Sequence, residues 1–436
     1  MQQQGKWEEA ISCYQKALEL QPNCVEADVN LGNALHAQGK LSPEKQADYA
    51  KLNHNLGLGR KKVGDLQNAK IYFQKALELN PNYGEAYLDL GKIYQEQNNL
   101  KEAISAYRQG LELINPHYAT AVEAYQGSET TQEVPTTPPI LQGEVTVGEY
   151  PFPAIPPVAD DTGKRPFWSV VIPAYNRTDY LLECLVSVLA QWQGEEHMEI
   201  IVIDDASTIP LFELVNTIGQ GVIRYYRNPQ NLRQQGTWNA GIFLTRGQWI
   251  HLLHDDDYVL PGFYDRLKES LEVCPDSVGA AFTGYENIND KREIVFRQQL
   301  YGKDRGIAEN FLQKIGVANP LNPPAVVIRR ATYEHLGAYH PELTATLDWE
   351  LYKRITAFYD WWYEPEILVH YRQHSQSMRT KLSVSGVRTA SIRRSIEIAE
   401  SYLPPEHCAE LTQKARKVYF TNALQLFMIG GMSRKS

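Results

Sequence analysis

Apolar residues recur at helical spacing through residues 1–118, and the arrangement repeats. WEEAISCYQKALELQPN (7–23), LQNAKIYFQKALELNPN (66–82) and LKEAISAYRQGLELINP (100–116) line up position by position, closing on Pro22, Pro81 and Pro116. Leu56-Gly57 and Leu90-Gly91 precede the second and third of these, 34 residues apart. Leu31-Gly32 sits only 25 residues before Leu56-Gly57, so that repeat is about nine residues short. The pattern predicts helix pairs, with one second helix damaged or rearranged around GKLSPEKQ. From Gly127 the periodicity vanishes and prolines cluster, as in VPTTPPI and YPFPAIPP. This reads as a semi-extended linker over 119–165. From Arg165, buried runs alternate with amphipathic stretches. FWSVVIPAYN, MEIIVIDDAST, GVIRYYRN and QWIHLLHDDD read as strands, and TDYLLECLVSVLAQ, LFELVNTIG and GTWNAGIFLTRG as helices. Such alternation predicts a mostly parallel α/β sheet covered on both faces, spanning 166–378. Helical spacing returns after about residue 380, which predicts a helical extension over 379–436 whose apolar residues are packing positions.

The 34-residue period, with a glycine where helices approach closely, resembles the tetratricopeptide repeat. One half-repeat, one irregular repeat and two regular ones should stack into a short solenoid. Its concave groove would suit a peptide or partner protein.

Composition narrows the classes. The chain is 43% hydrophobic and 22% charged, ordinary for a globular protein. A net charge of −9 argues against broad nucleic-acid binding, which rests on phosphate neutralisation. Five scattered cysteines without metal-ligand spacing fit a reducing compartment. No apolar run reaches membrane-spanning length, and the polar start does not read as a signal peptide. The expected location is cytoplasmic or peripheral to the membrane.

The chemistry centres on LLHDDDYVLP, Leu252 to Pro261. Three consecutive aspartates at a strand end repel one another unless water or a cation separates them. Carboxylates there can share the work on a diphosphate-linked donor, one on a divalent hard cation and one on a ribose hydroxyl. The bland reading is a helix cap or solvated loop. In open α/β sheets, ligands bind beyond the carboxyl ends of the strands. Pro173 to Arg177, Asp204-Asp205 and Asp255 to Asp257 all fall there.

The ordered motifs VVIPAYNR, IIVIDDAS, RNPQNLRQQGTWNAGI and GQWIHLLHDDDYVLP resemble the family 2 glycosyltransferases, over about residues 166–375. The resemblance implies a GT-A fold, an α/β, Rossmann-like, mostly parallel sheet, here preceded by an all-α repeat solenoid. It implies that Pro173, Ala174, Tyr175 and Asn176 pack against the donor nucleotide. Asp205, with Asp204 beside it, would accept from a base N3–H, which favours uracil or thymine over cytosine. Arg233 would contact the nucleotide. Anchoring the acidic motif on Pro261 makes Asp256 the main metal ligand for Mn²⁺ or Mg²⁺, with Asp257 the last acid and Asp255 toward the ribose. Asp348 in TLDWELYKR would be the general base of inverting transfer, and His374 would complete the metal shell. A carboxylate opening a helix also makes a good N-cap, and Asp348 could serve both roles. Three positions depart from the pattern: His254 replaces the first aspartate, Trp238 an arginine, and Leu347 a glutamate.

The expectation is therefore an inverting, metal-dependent transferase. A nucleotide sugar, UDP-linked by preference, would be the donor, and the repeats would recruit a partner or acceptor. The rival is a protein-interaction scaffold whose transferase domain has lost activity. A nucleotidyltransferase would need a glycine-rich loop after the first strand, and PAYNRTDYL has no glycine.

Overall fold

A glycine in each amino-terminal helix pair seats an aromatic ring. This is seen in a computed structural model that describes residues 6–125, 134–137, 143–159, 165–374 and 387–432. The helices are α1 Trp7–Leu20, α2 Val25–Ala37, α3 Pro43–Lys62, α4 Leu66–Leu79, α5 Gly84–Glu96, α6 Leu100–Ile114 and α7 Pro116–Tyr125. A Cβ on Gly57 would lie 2.5 Å from Phe73, and one on Gly91 would lie 2.8 Å from Tyr107. The irregular repeat keeps the same device, since a Cβ on Gly32 would meet Tyr49 at 2.2 Å. Tyr49 and Gly57 lie on one 20-residue helix, α3. Its first half partners α2 and its second half partners α4. The missing nine residues are thus a lost turn: two helices have fused into one. Gly39, at φ +67°, ends α2, and Pro43 opens α3. Asn53 is fully buried on α3 and exchanges hydrogen bonds with Asn33 at 2.9 and 3.1 Å.

The chain divides into two units at Gly127/Ser128. In the second, the segment read as a linker is partly built into the fold. Strands β1 Glu144–Val147 and β2 Tyr150–Pro153 form a hairpin around a two-residue turn with Gly148 at φ +61°. Phe152 is fully buried, and Val147 and Ile155 join the same core. The prolines do not prevent this, because a two-stranded ribbon leaves alternate N–H groups unpaired. The linker reading is corrected for 143–156; residues 126–133, 138–142 and 160–164 lie outside the described residues.

Among the described residues, the main sheet has ten strands. They are β3 Trp168–Ala174, β4 Met198–Asp204, β5 Ile223–Arg227, β6 Trp249–Leu252, β7 Tyr258–Val259, β8 Val278–Ile288, β9 Ile294–Arg297, β10 Gly306–Ile307, β11 Val326–Arg329 and β12 Asp360–Arg372. The order is β10-β12-β8-β11-β6-β3-β4-β5, with β7 on β12 and β9 on β8. β6, β3, β4 and β5 are parallel, whereas β11 runs antiparallel to both its neighbours, so the sheet is mixed. All of β4 and all of β3 but Pro173 are buried, as a doubly covered sheet requires. Its connections include α8 Asp179–Leu189, α9 Phe212–Gly219, α10 Arg233–Leu244, α11 Phe263–Leu271, α12 Phe311–Ile315, α13 Arg330–Leu336 and α14 Leu347–Phe358. Helices α15 Val387–Glu400 and α16 Pro405–Met432 follow, and Lys353 of α14 donates to Ser395 O of α15 at 2.7 Å. Among the described residues, no helix is long and apolar enough to cross a membrane.

Candidate active site

The carboxyl ends of β3 and β4 are level, and β6 ends beside them, its last residue Leu252 opposite Val171. Ala174 is in register with Asp204, Asp205 N donates to Ala174 O at 2.9 Å, and Leu253 N donates to Val171 O at 3.0 Å. A cavity of about 1250 Å³ opens there. Pro173, Ala174, Tyr175, Asn176, Asp205, Arg233, Asp255, Asp256, Asp348 and His374 all line it. Residues more than 100 positions apart are thereby brought to one place.

Asp204 ends β4 and Asp205 follows directly after it, and the two side chains point to different surroundings. Asp205 faces the cavity and accepts from Leu232 N at 2.7 Å and Asn228 Nδ2 at 2.8 Å. Asp204 is fully buried, does not line the cavity, and accepts from Ser207 N, the Tyr225 hydroxyl and Arg227. The nucleotide-contact reading of Asp204 is corrected: it ties β4 to β5. Asn176 lines the cavity at φ +52°, and its Oδ1 accepts from Thr208 N at 2.7 Å and Thr208 Oγ1 at 2.9 Å. It shapes the loop beside Asp205.

The three acids have three environments. Asp255 accepts from Tyr175 N at 3.3 Å and Arg177 Nη1 at 2.9 Å. Asp256 Oδ2 lies 2.7 Å from Arg177 Nη1 and 2.9 Å from His374 Nε2. Asp257 is nearly fully buried behind them, does not line the cavity, and accepts from Arg372 N at 2.6 Å. Its other oxygen lies 3.2 Å from His254 Nδ1. Burial raises the Asp255 and Asp257 carboxyls; it also opposes ionisation of Asp256, but the His374 hydrogen bond and Arg177 hold Asp256 well below the usual carboxylate range. One acid of the three is the readily ionised one, the middle one. Arg372 fixes the loop, with Nε on Asp256 O at 3.0 Å and Nη2 on Glu183 at 2.5 Å.

Trp238 and His254, two departures from the family pattern, stack on each other with centroids 5.2 Å apart and an interplanar angle of 24°. Burial lowers the His254 imidazole, but the hydrogen bond and charge of Asp257, with Asp256 and Asp255, outweigh it and raise its pKa. A donor atom from each of His254, Asp256 and Asp257 lies within 4.8 Å of the other two, spacing that one metal ion could bridge. His374 joins through Asp256.

Asp348 sits in the first turn of α14 and receives Asn319 Nδ2 at 2.9 Å. Burial raises its pKa, against backbone N–H groups and the charge of His254, which lower it. Leu347 beside it is buried and lines the cavity. The helical extension supplies part of the wall through Arg388, Ile392 and Tyr419. Sequence reasoning gave Arg177 no role, although a basic residue directly after β3, opposite three carboxylates, was the available signal. Asn319 had no such signal, because its pairing with Asp348 is non-local.

Residues 169–336 match the family model described as Glycosyl transferase family 2. Residues 3–39 match a TPR repeat model and 48–115 a tetratricopeptide repeat model. The succinoglycan biosynthesis protein ExoO of Rhizobium meliloti (strain 1021) is 37% identical over 125 residues, 29% of this chain and 33% of that protein. An uncharacterized glycosyltransferase of Rickettsia typhi is 24% identical over 224 residues, 50% of this chain and 68% of the relative. The chain therefore spans a third of the first relative's length and about two thirds of the second's. Among solved structures, S. aureus TarS 1-349 in complex with UDP-GlcNAc aligns with a TM-score of 0.50 and 16% identity. The alignment covers 58% of this chain and 72% of that one, a likeness of fold. Asp348 and His374 lie beyond the family match.

Proposed function

We propose, from the match of residues 169–336 to the glycosyl transferase family 2 model, that this chain moves a sugar from a UDP-sugar to an acceptor hydroxyl with inversion. The observation that carries the reading is the convergence of Asp205, Asp256 and Asp348 on one cavity. Asp205 presents a carboxylate to a base N–H, which selects uracil over cytosine. The bound UDP-GlcNAc of TarS, a relative in fold, agrees with that donor class. Tyr175, nearly half exposed at the cavity wall, offers a ring face to the base.

Asp348 takes the proton of the acceptor hydroxyl as that oxygen attacks the anomeric carbon. A carboxyl raised by burial is a stronger base than a solvated one once ionised, which suits the task. Arg177 and Arg233 bring positive charge toward the diphosphate. A divalent ion, Mn²⁺ or Mg²⁺, would neutralise the leaving diphosphate when bound. Asp256 and His374 would hold it, with Asp257 and His254 within reach, a donor set that fits a divalent cation. The repeats recruit a protein partner or the acceptor. The scaffold alternative rested on His254, Trp238 and Leu347. The first two compensate each other as one stacked pair, which weakens it.

A screen of UDP-, GDP- and dTDP-sugars scored by donor hydrolysis tests this reading. UDP-sugar turnover that disappears in Asp256→Ala supports it. Turnover that survives the substitution removes the metal assignment.

A further inference from the structure

We propose that β9 is a dimerisation strand, which pairs antiparallel with β9 of a second copy of this chain about a two-fold axis at Val295. The inference stands apart from the donor and metal reading above, since no residue of β9 lines the cavity.

β9 is the exception among the edges of the main sheet. Among the described residues it pairs with β8 alone, so its other edge is open. All four of its residues are exposed, Ile294, Val295 and Phe296 by 50%, 52% and 50%. Consecutive apolar residues on an open edge are a template for a further strand. The other edges are blunted. β7 and β10 are two residues long. β5 carries Arg224 and Arg227 and is covered where Thr137 N donates to Arg227 O and Arg227 N to Pro135 O, both at 3.0 Å. Within β9, Ile294 faces Ile288 and Phe296 faces Asn287, so Val295 has no residue opposite it on β8. A residue skipped in this way is left out of the ladder. It is the one best placed to sit on an axis shared with another strand.

The flanking charges select the occupant. Antiparallel pairing centred on Val295 sets Ile294 against Phe296 of the second copy, and Glu293 against its Arg297. Apolar meets apolar and acid meets base, and the two-fold axis makes each contact twice. Both charged groups have capacity for it. Arg297 gives its Nε to Glu286 at 2.5 Å, yet its side chain is 66% exposed and keeps the rest of its donor fork at the surface. Glu293 receives Asn289 Nδ2 on Oε2 at 2.7 Å, which leaves its other oxygen for an incoming donor. An anionic lipid surface would match Lys291 and Arg297 but not Asp290 and Glu293, and the net charge of −9 opposes it. A contact this short belongs with weak, reversible interfaces, with a dissociation constant on the order of 10 µM.

Sedimentation of the full chain over about 1–100 µM reads the assembly directly. Wild type should pass from monomer to dimer across that range. Glu293→Arg sets like charges against Arg297 at both contacts, and Val295→Asp sets two carboxylates on the axis. Each should weaken dimerisation by at least about tenfold with an unchanged circular dichroism spectrum. Arg297→Glu should do the same alone. An equimolar mixture of Glu293→Arg and Arg297→Glu chains should then dimerise at least about tenfold more tightly than either variant by itself, because every contact again joins opposite charges. Damage to the hairpin could not give that recovery. Wild type that stays monomeric throughout overturns the inference, as does a dimer unaffected in both folded Glu293→Arg and Val295→Asp. A mixture of the two folded charge variants that gains nothing overturns the pairing. Monomer that binds phosphatidylglycerol vesicles, and loses them in Phe296→Ser, assigns the strand to a membrane surface instead.

Discussion

Asp348 joins two roles in one carboxyl: it stands in the first turn of a helix, and it lines the cavity where an acceptor would enter. Helix placement alone would be served by asparagine, which also keeps a partner for Asn319. Asp348→Asn should therefore lower kcat by about 10²–10⁴-fold while leaving the UDP affinity within about twofold, as stopped-flow turnover and calorimetry would register. Thr346, not Asp348, is the N-cap of α14, and a purely structural role for Asp348 in that first turn would instead move the thermal midpoint and spare kcat. The pH dependence carries a sign. Its pKa is raised above 3.8 in the folded protein, mainly by burial, and only the ionised form is a base. Activity should be full at neutral pH and fall as pH drops through a value above the ordinary carboxylate range, an acid limb absent in Asp348→Asn. At this scale the sequence was informative where chemistry is local to a motif. Anchoring on Pro261 picked Asp256, which the structure gives the His374 contact and the low pKa. It was uninformative where the answer lies in a distant partner. Whether His254 is a defect or a replacement depends on Trp238, 16 residues away on another element.

The repeat helices show what a period can and cannot say. The period announced the pairs and the shortened repeat. It could not say that the shortening fuses two helices, because α3 reads as helix throughout and only the seats of Tyr49 and Phe73 reveal its two partners. The hairpin at 144–153 escaped for a related reason, since four-residue strands rich in proline carry too little alternation to distinguish from a linker. The seats themselves are testable. A Cβ on Gly91 would lie 2.8 Å from Tyr107, whereas one on Gly59, on α3, meets nothing within 4 Å. Gly91→Ala should destabilise the repeat unit by about 1–3 kcal/mol through overpacking. Gly59→Ala should stabilise it by about 0.5–1 kcal/mol, because alanine loses less freedom in a helix. Chemical denaturation of the two variants should shift in opposite directions. Equal shifts would mean that the glycines serve flexibility and not packing.

The two units have separate cores, and their dependence on chain length should differ accordingly. Phe73, Leu90 and Ile93 form clusters within the repeats. The core of the second unit runs from Val147 and Phe152 through the sheet strands to Ile392, Ile396, Tyr402, Leu403 and Ala415. The boundary expected near residue 379 therefore falls inside a continuous core. The extension contributes apolar area that the sheet unit needs, as well as Arg388, Ile392 and Tyr419 to the cavity wall. Each well-buried aliphatic side chain contributes about 1.5–3 kcal/mol, so losing Ile392, Ile396 and Leu403 alone is comparable to the net stability of a typical domain. A chain lacking 387–436 should accumulate as insoluble protein. A chain lacking 1–127 should remain soluble and hydrolyse UDP-sugar at a rate within about twofold of full length, because none of the proposed site residues is removed. Its turnover on an acceptor delivered by the repeats should fall instead, through KM before kcat, as weakened recruitment requires. Loss of donor hydrolysis in the soluble 128–436 chain would place part of the catalytic machinery in the repeats and end the recruitment reading.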